Sequence, residues 1–340
     1  ASQFVYMAVS ILFIPAYIGY LGIDGFGIYS FLMLVFTWIT MLQAGIDPAV
    51  IRMTAKYAAE NRHGNINSLV TASLIFQIII ASLIGIAFLL LGDYLAYFIV
   101  KDKTDFLNET RIALNYAAIN IVMLMCKNVY VSLFNGLQRY DISGIYESLF
   151  NILVSVISLG ALWLGYGIVG MLVSRLTLNI LGLVMLHFIA KKLVSTFRLS
   201  MRISKDLVKE IYNYASWIVV ARMNRLAINT LPPIMLSMYV GPSGIAYYSI
   251  SSRIALALNN VLSSSINVLF PFVSELSALQ KTEKIRSFYL RANRLLSLMS
   301  VPLYCFGAIY SWDILYAWLG SDIADNCWIL MALFFVGYYL

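Results

Sequence analysis

The chain has 340 residues, of which 61% are hydrophobic and 11% charged, and it carries a formal net charge of +7. Soluble domains are about 45–50% apolar and about 25% charged, so this composition excludes a soluble globular domain and identifies an integral membrane protein. The basic excess does not point to nucleic acid, because Lys and Arg segregate by loop instead of forming one solvated patch.

A helix that crosses a bilayer needs about 20 apolar residues. Such runs fall near 1–17, 27–45, 70–91, 112–134, 146–165, 167–189, 212–239, 244–272, 292–311 and 327–340. The first and last stop inside apolar sequence, so the chain reads as part of a longer, transporter-sized protein. Only Gly165-Tyr166-Gly167 separates the fifth run from the sixth. The segments between runs alternate in charge. One set holds sixteen Lys/Arg: Arg52, Lys56, Arg62, Lys127, Arg139, Lys191, Lys192, Arg198, Arg202, Lys205, Lys209, Lys281, Lys284, Arg286, Arg291 and Arg294. The other set, which includes an expected loop at 92–111, holds three: Lys101, Lys103 and Arg111. The positive-inside rule then predicts a cytoplasmic N-terminus.

The expected fold is all-α and polytopic, with an internal repeat. Gly22-Ile-Asp-Gly25 followed by Tyr29-Ser30 recurs as Gly241-Pro-Ser-Gly244 followed by Tyr248-Ser249. Pro48-Ala-Val50 recurs as Pro271-Phe-Val273, and Asp93-Tyr-Leu95 as Asp313-Ile-Leu315, at offsets of 219, 223 and 220 for the three matches. Six spans lie between the copies, an even number, so the copies share one orientation, as in two-bundle transporters with a central cavity. The predicted organisation is an N-terminal bundle over 1–190, a basic cytoplasmic linker over 191–210 with an amphipathic surface helix, and an incomplete C-terminal bundle over 211–340. About ten helices are expected in all.

Polar residues lie along single faces of several runs. Ser249, Arg253, Asn260, Ser264 and Asn267 follow spacings of 4, 7, 4 and 3 in the eighth run, which keeps them in one line. Glu147, Asn151, Ser155 and Ser158 do so in the fifth, and Thr37, Thr40, Gln43 and Asp47 in the second. Arg222, Arg225 and Asn229 share a face ahead of Pro232-Pro233, a candidate hinge, and Arg175 precedes Asn179 by one turn. Uncharged members of such stripes serve equally well as interhelical glue. The arginines are harder to absorb, since an Arg at the bilayer centre costs about 2.5–3.5 kcal/mol on insertion scales. Asp47 and Glu147 are the plausible carboxylate partners or coupling groups, and four arginines outnumber them. Arg175, Arg222, Arg225 and Arg253 therefore read as lining a cavity for something anionic.

Other chemistries find no support in the residues. His63 and His187 have no metal-ligand neighbour one turn away, no phosphate-binding GxxxxGK[ST] loop occurs, and no nucleophile elbow or paired carboxylates appear, so neither cofactor nor metal is expected. Cys126, Cys305 and Cys327 read as small apolar packing residues.

The segment Tyr17-Ile-Gly-Tyr-Leu-Gly22-Ile-Asp-Gly-Phe-Gly27-Ile-Tyr29-Ser30, with Leu42-Gln-Ala-Gly45-Ile-Asp-Pro48-Ala-Val-Ile-Arg52, resembles the start of bacterial polysaccharide-biosynthesis proteins. These are the O-antigen and related lipid-linked oligosaccharide flippases of the superfamily that includes the multidrug and toxin extruders. The resemblance implies a non-enzymatic carrier in the bacterial inner membrane. It would move an undecaprenyl-pyrophosphate-linked oligosaccharide to the periplasmic leaflet by alternating access, with polysaccharide polymerase and chain-length machinery as partners. It assigns the headgroup first to Arg52 and Arg253, then to Arg222 and Arg225, because Arg matches phosphate geometry. One departure stands out: many relatives carry an arginine near the end of the first span, where this chain has Pro15-Ala-Tyr17-Ile. The alternatives are a drug/cation antiporter of the same superfamily, which calls for an embedded carboxylate, and a membrane glycan enzyme, which calls for a large outer loop.

Overall fold

The computed structural model of the chain describes residues 2–43, 45–101, 103–194, 197–198, 231–267 and 282–339. Among the described residues there is no strand. The helices are α1 (Ser2–Gln43), α2 (Ile46–Ala59), α3 (His63–Leu90), α4 (Gly92–Val100), α5 (Leu107–Gly136), α6 (Tyr140–Trp163), α7 (Gly167–Leu193), α8 (231–239), α9 (Pro242–Asn267), α10 (Thr282–Ile309), α11 (Ser311–Leu319) and α12 (Ser321–Tyr339). Hydrophobicity and length together make this a multi-pass membrane protein, since six stretches are long and apolar enough to span a bilayer: 11–39, 63–90, 104–136, 140–163, 167–193 and 286–309. The predicted linker at 191–210 and the arginine-bearing run at 212–239 lie largely outside the described residues.

The stretch 11–39 is not one straight span. Gly22 sits at φ 69, ψ 175, a conformation open in practice to glycine alone. In a continuous helix Tyr17 and Tyr29 would stand about 18 Å apart along the axis, yet their rings meet edge to face at 5.9 Å. The chain therefore reverses at Gly22 into two arms of about 20 residues, each long enough to cross a bilayer. The second copy of the motif makes the same kind of break, with Gly241 at φ 89 between α8 and α9. The other glycine of each motif has a packing reason. A Cβ on Gly25 would sit 3.1 Å from that of Leu21, and one on Gly244 would sit 2.7 Å from that of Val240. Each turn closes onto the residue just ahead of its reversal.

The repeat is sharper in the backbone than in the letters. α4 and α11 are both 9 residues long, and their bounds, like the ends of α3 and α10 at Leu90 and Ile309, differ by 219. Gly22 and Gly241 keep that offset. Asp93 to Asp313, at 220, falls one residue off this register; Pro48 to Pro271 departs from it, and Pro271 lies outside the described residues.

The predicted loop at 92–111 is a correction. It is helix α4, a 3-10 turn (Thr104–Phe106) and the first turn of α5. Ala96, Ile99 and Val100 recur at helical spacing and are fully buried, so the polar residues around them cover one face only. The division at 165–167 is real: Gly165 (φ 81) and Gly167 (φ 55) turn the chain, and Glu109 accepts a hydrogen bond from the Ile168 amide at the start of α7.

Packing divides the chain into two compact units, residues 1–245 and 246–340. In the first, α5 is the central helix: 78% of its most apolar stretch is buried, against 28% for α3, α6 and α7, and it packs on α2, α3, α4 and α7. Its first half joins a core with Ile28, Leu32, Ala81 and Leu172, and its second half a core with Met53, Leu69, Phe150 and Leu186. In the second unit α12 packs on both α10 and α11, with Ile323, Cys327 and Met331 turned inward.

Candidate functional site

A central helix surrounded by other helices is where polar groups are most expensive and so most informative. Of the buried polar residues of α5 (Thr110, Asn120, Lys127 and Ser132), Asn120 and Lys127 are seven residues apart and hence on one face. Asn120 donates to the Leu172 carbonyl (3.1 Å) and accepts from the Asn179 side-chain amide (2.6 Å), all of it buried, joining α5 to α7. Asn179, predicted one turn from Arg175 on a polar stripe, is thus interhelical glue.

Lys127 is different. It is only 7% exposed, and its Nζ sits 4.0 Å from the centre of the Phe150 ring and 5.7 Å from that of Tyr146, both on α6. The charge grouping had placed it in a basic loop. The structure puts it inside α5, nine residues before the helix ends at Gly136. Arg175, half-buried on α7, lies with its guanidinium carbon 5.9 Å from the Phe36 ring centre on the second arm of α1. Neither Lys127 nor Arg175 makes an ion pair or hydrogen bond among the described residues. The structure therefore seats each cation on an aromatic face of a neighbouring helix, Lys127 against α6 and Arg175 against the second arm of α1.

The other predicted residues are scattered. Arg52 is exposed on α2, a helix of 14 residues following the second span, while Asp47 is half-buried in that helix's first turn. Glu147 is exposed on α6 and Asn151 half-buried there. On α9, Ser249 and Arg253 are half-buried and Asn260 is exposed; Ser264 and Asn267 lie on the same helix with side chains outside the description. Arg253 makes no ion pair or hydrogen bond among the described residues. Pro232 and Pro233 sit in the helical segment 231–239, half-buried and buried respectively. Arg222, Arg225 and Asn229 lie outside the described residues. His187 shares a hydrogen bond of 2.9 Å with the Tyr130 hydroxyl, and the described residues hold no cluster of His, Cys, Asp and Glu suited to a metal.

The polysaccharide biosynthesis protein family matches residues 1–277, most of the chain. This chain belongs to that family. Among individual proteins it is 20% identical over 329 residues to a putative O-antigen transporter of Shigella flexneri, covering 94% of the chain and 74% of the relative. It is 25% identical over 292 residues to a probable flippase of Haloferax volcanii, covering 83% and 55%. An uncharacterized membrane protein of Methanocaldococcus jannaschii is 23% identical over 269 residues, 74% of this chain and 51% of that one. The chain thus spans about half the length of the two archaeal relatives. In structure it is similar to a multidrug resistance MATE family transporter of the MOP superfamily in an inward-facing conformation, with a TM-score of 0.74 at 16% identity, covering all of this chain and 79% of the other. It is also similar to a MOP superfamily transporter from Pyrococcus furiosus, with a TM-score of 0.66 at 15% identity over 99% and 78%. These likenesses give the family member a MOP transporter fold.

Two features of the site escaped the sequence reading. Lys127 was counted with flanking charges although the apolar run at 112–134 already enclosed it. Asn120 lay in the same run, and its one-face companion seven residues on was Lys127 itself, so setting Lys127 among the flanking charges hid the stripe. The signal for α2 was present: Ile46, Ala49, Val50, Met53 and Tyr57 repeat at helical spacing and are buried, with Arg52 and Lys56 facing away.

Proposed function

We propose that this chain belongs to a flippase that carries an undecaprenyl-pyrophosphate-linked oligosaccharide across the bilayer by alternating access, and that it is a carrier and not an enzyme. The observation that supports this best is cationic charge without carboxylate pairing among the described residues: Arg175 inside the apolar helix α7 and Arg253 half-buried on α9. Arg presents five donors in a planar fork suited to phosphate oxygens, and an anionic headgroup relieves the penalty of holding such a group at membrane depth. Family membership and the names of the Shigella and Haloferax relatives point the same way. On this reading Arg222, Arg225 and Arg52 complete the cationic lining, and Ser249, Asn151, Asn229, Asn260, Ser264 and Asn267 add polar contacts. Pro232-Pro233 acts as a hinge, and Asp47 and Glu147 as coupling or ion-pair groups. The bundles are 1–190 and 211–340, joined by the linker 191–210. The basic segments face the cytoplasm in an inner membrane, where polymerase and chain-length machinery take over the product.

A second reading, a drug/cation antiporter, draws on the MATE-like fold. The embedded charges disfavour it, since an organic cation would meet Lys127 and Arg175.

The test is complementation by the full-length protein in cells lacking their own O-antigen flippase, scoring surface polysaccharide and accumulated lipid-linked oligosaccharide. Wild type is expected to restore polysaccharide, and Arg253→Ala to abolish it at unchanged protein level. Drug resistance without polysaccharide would move the antiporter reading to first place.

A further inference from the structure

The two glycine turns, one from each copy of the repeat, meet in the structure, and a third segment ties them. Gly27 faces the Pro242 carbonyl so closely that any Cβ there would run into it, and both residues are buried. From the end of α4, Lys101 donates to the Tyr239 carbonyl (3.0 Å), and its side chain runs beside Gly241. Two residues on, Lys103 pairs with Asp24 (2.9 Å). Phe106 closes over Gly25, whose Cβ, if present, would lie 3.4 Å from the ring. All of these contacts lie within the first packing unit.

Two differences between the copies fall on this contact. At the constant offset of 219, Gly27 answers to Ala246 and Lys101 to Gly320. Where the second copy carries a Cβ the first carries none, because the Pro242 carbonyl passes there. Where the second copy has glycine for a positive φ of 88, the first has lysine at φ 54 and accepts the backbone penalty. What lysine adds there is the ammonium that reaches Tyr239. The links are separately weak. The Lys103 side chain is 54% exposed, and an ion pair in water contributes little. The Gly27–Pro242 contact interlocks no side chain. Among its described residues, α9 gives the core around Ile28 and Leu114 only Ile245. A permanent junction is made by interdigitated apolar side chains; this one is built to part.

We infer that the segment bearing Lys101 and Lys103 is a strap that holds the two turns together on the outer side of the membrane, and that its release lets them part as the outer gate of the carrier. This rests on the alternating-access reading, with the basic segments on the cytoplasmic side, and adds to it the groups that set how readily the gate opens. Weak links at the water boundary fit that task, because the closed and open states of a carrier must lie close in free energy.

A gate strap and a permanent brace respond differently to the same change. The experiment uses the full-length protein in spheroplasts, with a membrane-impermeant maleimide as the probe. Its target is Ile245→Cys, since Ile245 is fully buried while the turns are together. Labelling is counted above that of the protein without this change, which already holds Cys126, Cys305 and Cys327. Lys101→Gly, added to the target, installs the second copy's residue, removes the tie and suits the local φ. It is expected to raise the labelling rate about two- to tenfold, with the Tm of the purified protein unchanged from that of Ile245→Cys. Lys101→Arg keeps a donor and is expected to label as slowly as Ile245→Cys alone. Unchanged labelling in Lys101→Gly, or a rise matched by a lower Tm, would make the segment a brace and overturn the strap. Equally fast labelling in Lys101→Arg and Lys101→Gly would overturn it too, because the hydrogen bond would not be the cause. Complementation of flippase-deficient cells is scored separately. If wild type complements and labelling stays flat, the strap falls and the flippase stands; if wild type fails there while Lys101→Gly still opens Ile245→Cys, the flippase reading falls and the strap stands.

Discussion

The two copies of the repeat share a skeleton and differ in charge. In each, a glycine at positive φ reverses the chain, a second glycine three residues on lets the turn close, and a long helix is followed by one of 9 residues. At the same register the polar decoration diverges. Arg253 in the second copy answers to Leu34 in the first, and Asn260 to Met41. Where the second copy ends its short helix on Gly320 (φ 88), the first uses Lys101 at φ 54, a conformation uncommon for residues other than glycine. The Lys101 ammonium donates to the Tyr239 carbonyl beside the Gly241 turn, and the neighbouring Lys103 pairs with Asp24 beside the Gly22 turn. Turn geometry thus belongs to both copies, whereas Arg253, Lys101 and Lys103 each stand in one copy alone, which separates residues that make the fold from those available for another role.

The comparison breaks most severely if charge is moved between copies. Leu34→Arg, which plants the second copy's cation in the first, is expected to destabilise by roughly 2.5–3.5 kcal/mol, read as loss of monodisperse protein on size-exclusion chromatography. Arg253→Leu, the reverse exchange, is expected to leave the elution profile intact and to abolish polysaccharide export. Equal damage from both would mean that Arg253 is part of the fold. Next in size come the turns. Gly22→Val and Gly241→Val force a branched side chain to positive φ and are each expected to cost about 1–3 kcal/mol, with matching falls in Tm; a fall in one copy alone would make the other turn dispensable.

The smallest effect belongs to the Lys103–Asp24 pair (2.9 Å), whose lysine side chain is 54% exposed. The hydrogen bond and charge of Asp24 raise the Lys103 pKa above its ordinary value. A group raised in the folded state stabilises fully below its unfolded pKa and loses that contribution as pH rises through the folded one. Any Tm difference between wild type and Lys103→Met should therefore be small at neutral pH and vanish in strongly alkaline buffer. A difference that grew with pH would contradict the pairing.

Much of this architecture was legible in the residues. Length and hydropathy placed the long helices, and two glycines around Tyr166 were enough to divide α6 from α7, because positive φ has few other occupants. The GxxG turns gave the repeat. What the sequence obscured were short amphipathic helices and isolated polar groups. α4 looked like a loop because Asp93 and the lysines after Val100 outweighed the buried Ala96, Ile99 and Val100 that hold it. Lys127 looked like a flanking charge because charge grouping weighs a residue by its neighbours in the chain, whereas its seat on Phe150 is set by a different helix.

The constant offset has a genetic meaning. Gly22, the end of α3 at Leu90 and both bounds of α4 run in step with Gly241, the end of α10 at Ile309 and both bounds of α11, while nearly all the letters between them differ. One inserted residue inside a docked helix rotates everything beyond it by about 100° and advances it by about 1.5 Å, moving its buried face into lipid. Substitutions have no such reach. The repeat is held as a ruler is: between the copies the letters change freely while the spacing of turns and short helices stays fixed.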